Sequence, residues 1–288
     1  MNIRAMTGTI GRFASLLVLL LPGPPAAAQN LKPKADYLRN IELCSGLDHK
    51  SPDARIDGCT ALIDARQDMT TDGLATAYNN RGNAYTARRD YTHAIQDYEE
   101  SIRLNPTYSK PFNNNGVAYL KKHEYNLATE AFDQAIRLNP NYGEAFANRA
   151  AAYLKKKEYE LAARDYDEAI SLEPNLEGVW NGRCWTRAIL GALQAALADC
   201  NKALQSDSGS ATTYDSRGLI YLKMGQLAAA IEDYSSALRL DAKMATALYG
   251  RGLAKLRQGD KAGSESDISA AKAIQGNIGD DFTRYGVQ

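Results

Sequence analysis

The chain has 288 residues with 34 basic and 34 acidic side chains, 44% hydrophobic residues and four cysteines. Zero formal net charge argues against nucleic acid, which calls for a basic stripe, and the hydrophobic content excludes wholesale disorder. Length alone points to about two domains, and four cysteines are too few for a disulfide-dense mini-protein.

Residues 1–28 carry Arg4 and Arg12, no acidic side chain, and an apolar run from Phe13 to Leu21. That run falls short of the ~20 residues that cross a bilayer. With the small-residue site Ala26-x-Ala28 it predicts a secretory signal cleaved after Ala28. Pro22, Pro24 and Pro25 directly behind it disfavour a buried helix. No cysteine follows for a lipid anchor, and no later stretch is apolar enough to be an integral membrane segment. The expected mature chain, 29–288, has a net charge of about −2 and is periplasmic or secreted. Residues 29–74 read as a divergent helical hairpin cap over Asp36–Met69, turning at His49-Lys50-Ser51-Pro52, with a connecting loop that ends at Leu74.

From Ala75 the sequence repeats every 34 residues without a gap, in blocks 75–108, 109–142, 143–176, 177–210, 211–244 and 245–278. Position 8 is small (Gly82, Gly116, Ala150, Cys184, Gly218, Gly252), and position 11 is aromatic in four blocks (Tyr85, Tyr119, Tyr153, Tyr221). Position 20 is alanine in five blocks (Ala94, Ala128, Ala162, Ala196, Ala230), and position 32 is proline in three (Pro106, Pro140, Pro174). The stripes at positions 4, 7–8 and 11 and at 20, 24 and 27–28 have helical spacing, so each block predicts two antiparallel helices. Most of the 17 tyrosines fall at positions 4, 11, 17 and 24, where they pack between helices.

This pattern resembles the tetratricopeptide repeat over Ala75–Ile278. The resemblance implies an all-α fold, a right-handed superhelical solenoid of antiparallel helix hairpins. The sixth block is degenerate, with Lys255, Ser264 and Gly276 at positions 11, 20 and 32, as befits a terminal repeat that meets water. The tail 279–288 carries Phe282 and Tyr285 and is expected to fold back over the last helix.

Positions 7 and 23 co-vary inside the chain as Arg81/Asp97, Arg149/Asp165, Arg183/Asp199, Arg217/Asp233 and Arg251/Asp267, and the second block replaces both by Asn115/Ala131. Joint loss within one block predicts ion pairs across each hairpin, structural rather than catalytic. Cys44 and Cys59, like Cys184 and Cys200, lie symmetrically about a hairpin turn, which places their sulfurs opposite one another. With an export signal present, disulfides Cys44–Cys59 and Cys184–Cys200 are expected over two pairs of buried thiols.

Candidate chemistry is sparse. His49, His93 and His123 fall at turns or helix starts without a nucleophile partner, and none stands at ligand spacing from a cysteine pair. HExxH, GxSxG, GxGxxG and GxxxxGK are all absent, and Ser269-x-x-Lys272 stands without companion motifs. The expectation is therefore no enzyme, no cofactor and no metal.

In the resembled family the first helices line a concave groove, mainly through positions 2, 5, 6, 9, 12 and 13. Position 6 holds Asn80, Asn114 and Asn148, similar to the asparagine ladder of the O-linked N-acetylglucosamine transferase repeats, which holds a peptide main chain. The alternative is an asparagine that is simply common in the repeat. Asn79, Asn83, Lys110 and Asn113 surround the ladder, and Trp185 stands in a more apolar half with Leu219, Leu222, Leu253 and Leu256. The carboxylate clamp of chaperone-binding relatives is not matched, because Asn79 stands where a lysine is needed. The sequence thus points to an exported scaffold or adaptor that binds a protein or extended peptide. The alternative is a homodimer or assembly subunit using Trp185 and the apolar half.

Overall fold

The computed structural model describes residues 31–46 and 51–287, so the expected signal segment and His49–Lys50 lie outside the described residues. Two helices, α1 (Leu31–Ser45) and α2 (Pro52–Asp64), precede the array. Twelve helices then form six hairpins: α3 (Thr71–Ala87) with α4 (Tyr91–Leu104), α5 (Ser109–Lys121) with α6 (Tyr125–Leu138), and α7 (Gly143–Lys156) with α8 (Tyr159–Leu172). The second three pair α9 (Val179–Ile189) with α10 (Leu193–Ser206), α11 (Ala211–Lys223) with α12 (Leu227–Leu240), and α13 (Ala245–Gln258) with α14 (Lys261–Ile274). A short helix, α15 (Ile278–Arg284), ends the chain. The described residues are all-α, as the repeat pattern implied.

Small residues explain how closely the helices approach. Ala94, Ala128, Ala162, Ala196 and Ala230 are fully buried where the two helices of a hairpin meet. Position 8 faces the ring at position 24: a methyl added to Gly82 would stand 2.6 Å from Tyr98, and one on Gly218 would stand 2.9 Å from Tyr234. The fourth block meets this constraint differently, joining Cys184 to Cys200 as a disulfide, while Cys44–Cys59 ties α1 to α2.

Neighbouring hairpins also touch, and no break divides the stack, so the two-domain expectation from length gives way to one continuous array. First helices of successive hairpins contact each other (α3 with α5, α5 with α7, and onward to α13), while the second helices pack on the first helix of the next hairpin. The stack therefore curves with the first helices inside.

The arginine at position 7 ties the two levels together. Arg149 donates through Nε and Nη2 to both oxygens of Asp165, at 2.7 and 2.8 Å, and through Nη1 to Asp133 of the preceding block at 2.6 Å. Arg183 repeats this with Asp199 and Asp167. Arg217 uses Asp233 and Asn201, Arg251 uses Asp267 and Ser235, and Arg81 uses Asp97 and Thr60 of the cap. The guanidinium also lies over the ring at position 4, as with Arg183 over Trp180 at 4.9 Å and Arg81 over Tyr78 at 5.4 Å. Burial pushes the carboxyls of Asp97 and Asp165 up despite these bonds. Burial acts the same way on Asp267, but bonds from Arg251 and Lys255 outweigh it and hold that carboxyl down. Desolvation is thus comparable with pairing, so the net stabilisation from each pair is small even though breaking it is costly.

The turn inside each hairpin has a requirement absent from the reading of the sequence. Position 15 is left-handed in all six blocks: Gly191, Gly225 and Gly259 adopt φ of 83°, 74° and 97°, and Arg89, His123 and Lys157 adopt 61°, 63° and 63°. A side chain there costs about 1 kcal/mol.

Two outcomes follow for urea unfolding monitored by circular dichroism. Arg89→Gly raises stability by about 1 kcal/mol. Arg149→Ala, which strands a buried carboxylate, lowers it by about 2–3 kcal/mol, whereas Arg149→Asn with Asp165→Ala, the combination found in the second block, lowers it by less than the single change.

Candidate functional site

The concave face is built by residues that the first helices turn inward, and its two halves differ. In the N-terminal half, side-chain amides of adjacent blocks are bonded to each other. Asn114 donates from Nδ2 to the oxygens of Asn79 at 2.9 Å and Asn83 at 3.0 Å. Asn148 donates to Asn113 at 3.0 Å. Asn79 and Asn113 are therefore not groove-lining, contrary to expectation: they are 3% and 0% exposed and serve as acceptors between neighbouring helices. A position that faces inward on one helix becomes interior once the next hairpin stacks over it.

The position-6 amides stand one step further out. Asn80, Asn114 and Asn148 are half-buried, and Asn80 makes no hydrogen bond among the described residues. Both amide protons of Asn114 are committed inside the array, and its oxygen accepts only a long 3.5 Å bond from Asn113 Nδ2, so that oxygen keeps acceptor capacity for a ligand. Asn83 accepts from Tyr98 Oη at 2.8 Å as well as from Asn114, which turns its amide nitrogen outward. Lys110 is exposed beside them.

Where the row of amides ends has a steric cause. Position 6 is glycine in the fourth and sixth blocks, and any side chain there would collide with Tyr166 or Tyr234 of the preceding block. The Tyr234 ring is fully buried with its hydroxyl unpaired among the described residues.

The C-terminal half is more apolar and partly covered, with Leu256 still 48% exposed. Leu219 and Leu222 are buried, and Trp185 meets Tyr285 edge-on with ring centroids 5.0 Å apart. The tail does not simply fold over the last helix: from α15 it runs back along the concave face to Trp185 of the fourth block. The chain's own C-terminal segment thus occupies part of the surface expected as a dimer face. Beside Tyr285 remains a cavity of about 520 Å³ that Tyr159, Asn181, Trp185, Asp215, Ser216 and Thr246 help to line.

Asp215 is the residue the sequence reading missed. It holds position 5 of the fifth block, where other blocks carry Asn, Ala or Tyr, and an acid on an inward face was the available signal. Burial pushes its carboxyl up to about 7, against one hydrogen bond from Thr246 Oγ1 at 2.7 Å.

Among the described residues no group of three or more His, Cys, Asp or Glu side chains is placed to hold a metal, and no helix is long and apolar enough to cross a membrane. The first three blocks match a family model for the tetratricopeptide repeat at 75–108, 109–142 and 143–176, and residues 218–259 match a second TPR model. The chain belongs to the tetratricopeptide repeat family. No curated protein matches it in sequence.

Several solved repeat proteins share its fold. A tetratricopeptide repeat protein from Parabacteroides merdae superposes with a TM-score of 0.64 at 17% identity, covering 87% of this chain and 99% of that one. PilF from Pseudomonas aeruginosa gives 0.61 at 17% identity, covering 71% and 93%. YrrB, described as a TPR protein with an unusual peptide-binding site, gives 0.51 at 17% identity, covering 66% and 96%. At such identities the likeness is one of fold.

The raised Asp215 carboxyl has a consequence for this repeat array. The unfolded chain releases that proton near 3.8 and the folded chain near 7, so between these values the folded molecule holds the extra proton and stability falls as pH rises. Asp215→Asn removes this slope. The variant is expected to gain on the order of 3 kcal/mol over wild type at pH 8 and little at pH 4, read from urea unfolding at the two pH values.

Proposed function

We propose that the protein is an exported, non-catalytic scaffold that binds an extended peptide or protein segment along its concave face. The observation that carries this reading is the row of half-buried amides Asn80, Asn114 and Asn148 on three successive first helices. Asn79, Asn83 and Asn113 hold the second and third of these from behind, so side-chain oxygens are presented at the spacing of the repeat. Main-chain N–H groups of an extended segment are the natural donors to such a row, and recognition through them tolerates many side chains. Lys110 and the outward amide of Asn83 add donors for main-chain carbonyls on the same face.

Export is supported by the basic and apolar start of the chain and by the pairing of all four cysteines, which suits an oxidising compartment. YrrB, a fold relative, is described as having a peptide-binding site, which agrees with use of this architecture for peptide recognition. A 34-residue repeat from Ala75 to Ile278, a cap and connecting segment ahead of it and cleavage after Ala28 complete the proposed organisation, with the first repeat helix beginning at Thr71, inside the loop expected to end at Leu74.

Affinity capture from an envelope extract tests the reading. The mature wild type is expected to retain partners that Asn80/Asn114/Asn148→Ala retains at least tenfold less, with equal helical content. Asn80→Ala alone breaks no bond among the described residues and is expected to show a smaller loss. Equal retention by the triple variant would overturn the role of the ladder.

A further inference from the structure

Residues 278–287 lie in the apolar half of the concave face as a ligand would lie. We infer that this segment is a built-in occupant of a second peptide site, and that the partner this site fits is a segment of the same chemistry. Such a segment carries two aromatic side chains three residues apart on one helical turn, followed by a small apolar residue. The inference rests on the groove reading above and names a partner class for its C-terminal half.

Four features of the tail define that chemistry. Ile278, Phe282 and Val287 are buried. Phe282 meets Tyr249, which holds position 5 of the sixth block, at a tilt with ring centroids 4.9 Å apart. Tyr285, one turn further on, meets Trp185 two blocks away. Lys223 at the end of α11 donates from Nζ to the main-chain oxygen of Tyr285 at 2.7 Å and to that of Ala188 at 2.6 Å. That lysine grips backbone, not side chain, and would grip another segment with the same two-aromatic spacing equally well.

Direction separates this from ordinary capping. A cap on the last hairpin needs to cover only α13 and α14. Instead the tail runs back past α11 to α9, across first helices, and keeps Tyr285 only half-buried. The cavity of about 520 Å³ beside Tyr285 leaves room for one or two further side chains next to Trp185, so an incoming segment can seat its first aromatic before the tail has left.

The test uses the full mature chain and a labelled peptide with the sequence of residues 277–288, followed by fluorescence anisotropy. Tyr285→Ala, which leaves Ile278 and Phe282 in place, is expected to bind the peptide at least threefold tighter than wild type. Phe282→Ala with Tyr285→Ala is expected to bind it at least tenfold tighter. A peptide with both aromatics changed to alanine is expected to bind neither, and adding Trp185→Ala to Tyr285→Ala is expected to reverse the gain.

Circular dichroism establishes that the helices persist, and if the double variant unfolds, Tyr285→Ala alone decides. Equal affinity in wild type and Tyr285→Ala overturns the inference. So does a wild type that sediments as a dimer and takes up peptide only as it dissociates, since the tail would then belong in a second copy's groove. Partner capture that depends on the asparagines while the tail peptide fails to bind would sink this inference and leave the wider reading standing.

Discussion

An arginine held between two hairpins must satisfy both at once, and the rest of the array follows from that constraint. Its bidentate face takes the aspartate of its own hairpin, and its remaining nitrogen takes position 25 of the hairpin before. The aspartate is fixed by the helix it sits on, so the same guanidinium sets how the two helices of a block align and how that block sits on its neighbour. The aromatic at position 4 covers its flat face. Removing either member of the Arg–Asp pair leaves the other charge without its main partner, and for that reason a weakly stabilising pair can still be costly to break. The second block shows the alternative, since Asn115 with Ala131 keeps the contact free of charge, although Asn115 Oδ1 is left unpaired among the described residues.

Periodicity made the fold legible, because small and aromatic positions recur without insertion and each carries a packing reason. What sequence could not supply was context created by stacking. Asn79 and Asn113 point inward on isolated helices, yet the following hairpin buries them. Asp215 reads as an ordinary polar residue until Tyr234, Thr246 and the tail close around it. The left-handed residue at position 15 hid for a different reason. Three blocks use glycine and three use arginine, histidine or lysine, so the shared quantity is a backbone angle and not a residue type. The path of the tail was least legible of all, since a degenerate final repeat reveals an uncovered face but not which segment covers it.

The two halves of the concave face pose opposite problems. In the first three blocks Asn114 and Asn148 bond to amides of the preceding block while Asn80 keeps its amide for water, so that half needs no apolar cover. At the fourth and sixth blocks the rings of Tyr166 and Tyr234 pack against glycine at position 6, and leucines lie along this half. Such a surface exposed over several helices would be an aggregation hazard or an interface. In this structure Ile278, Phe282 and Val287 of the chain itself cover part of it.

Coverage by a tethered segment changes how a partner can bind there. A segment joined by a short connection to its site experiences an effective concentration on the order of 1 mM. If its own contacts would hold it at about 10 μM when untethered, the groove is covered ~99% of the time, and a competing segment binds ~100-fold more weakly than to an open groove. Trp185 and the half-buried Tyr285 set the lower end of that scale, because an edge-on aromatic pair adds only about 1 kcal/mol beyond the area it buries. A tail anchored by Phe282 and held loosely at Tyr285 is therefore suited to exchange from its far end, where the cavity lies. The polar half needs no such cover, and under the proposed peptide-binding role a long partner would engage the asparagines first and compete for the apolar half as an intramolecular event.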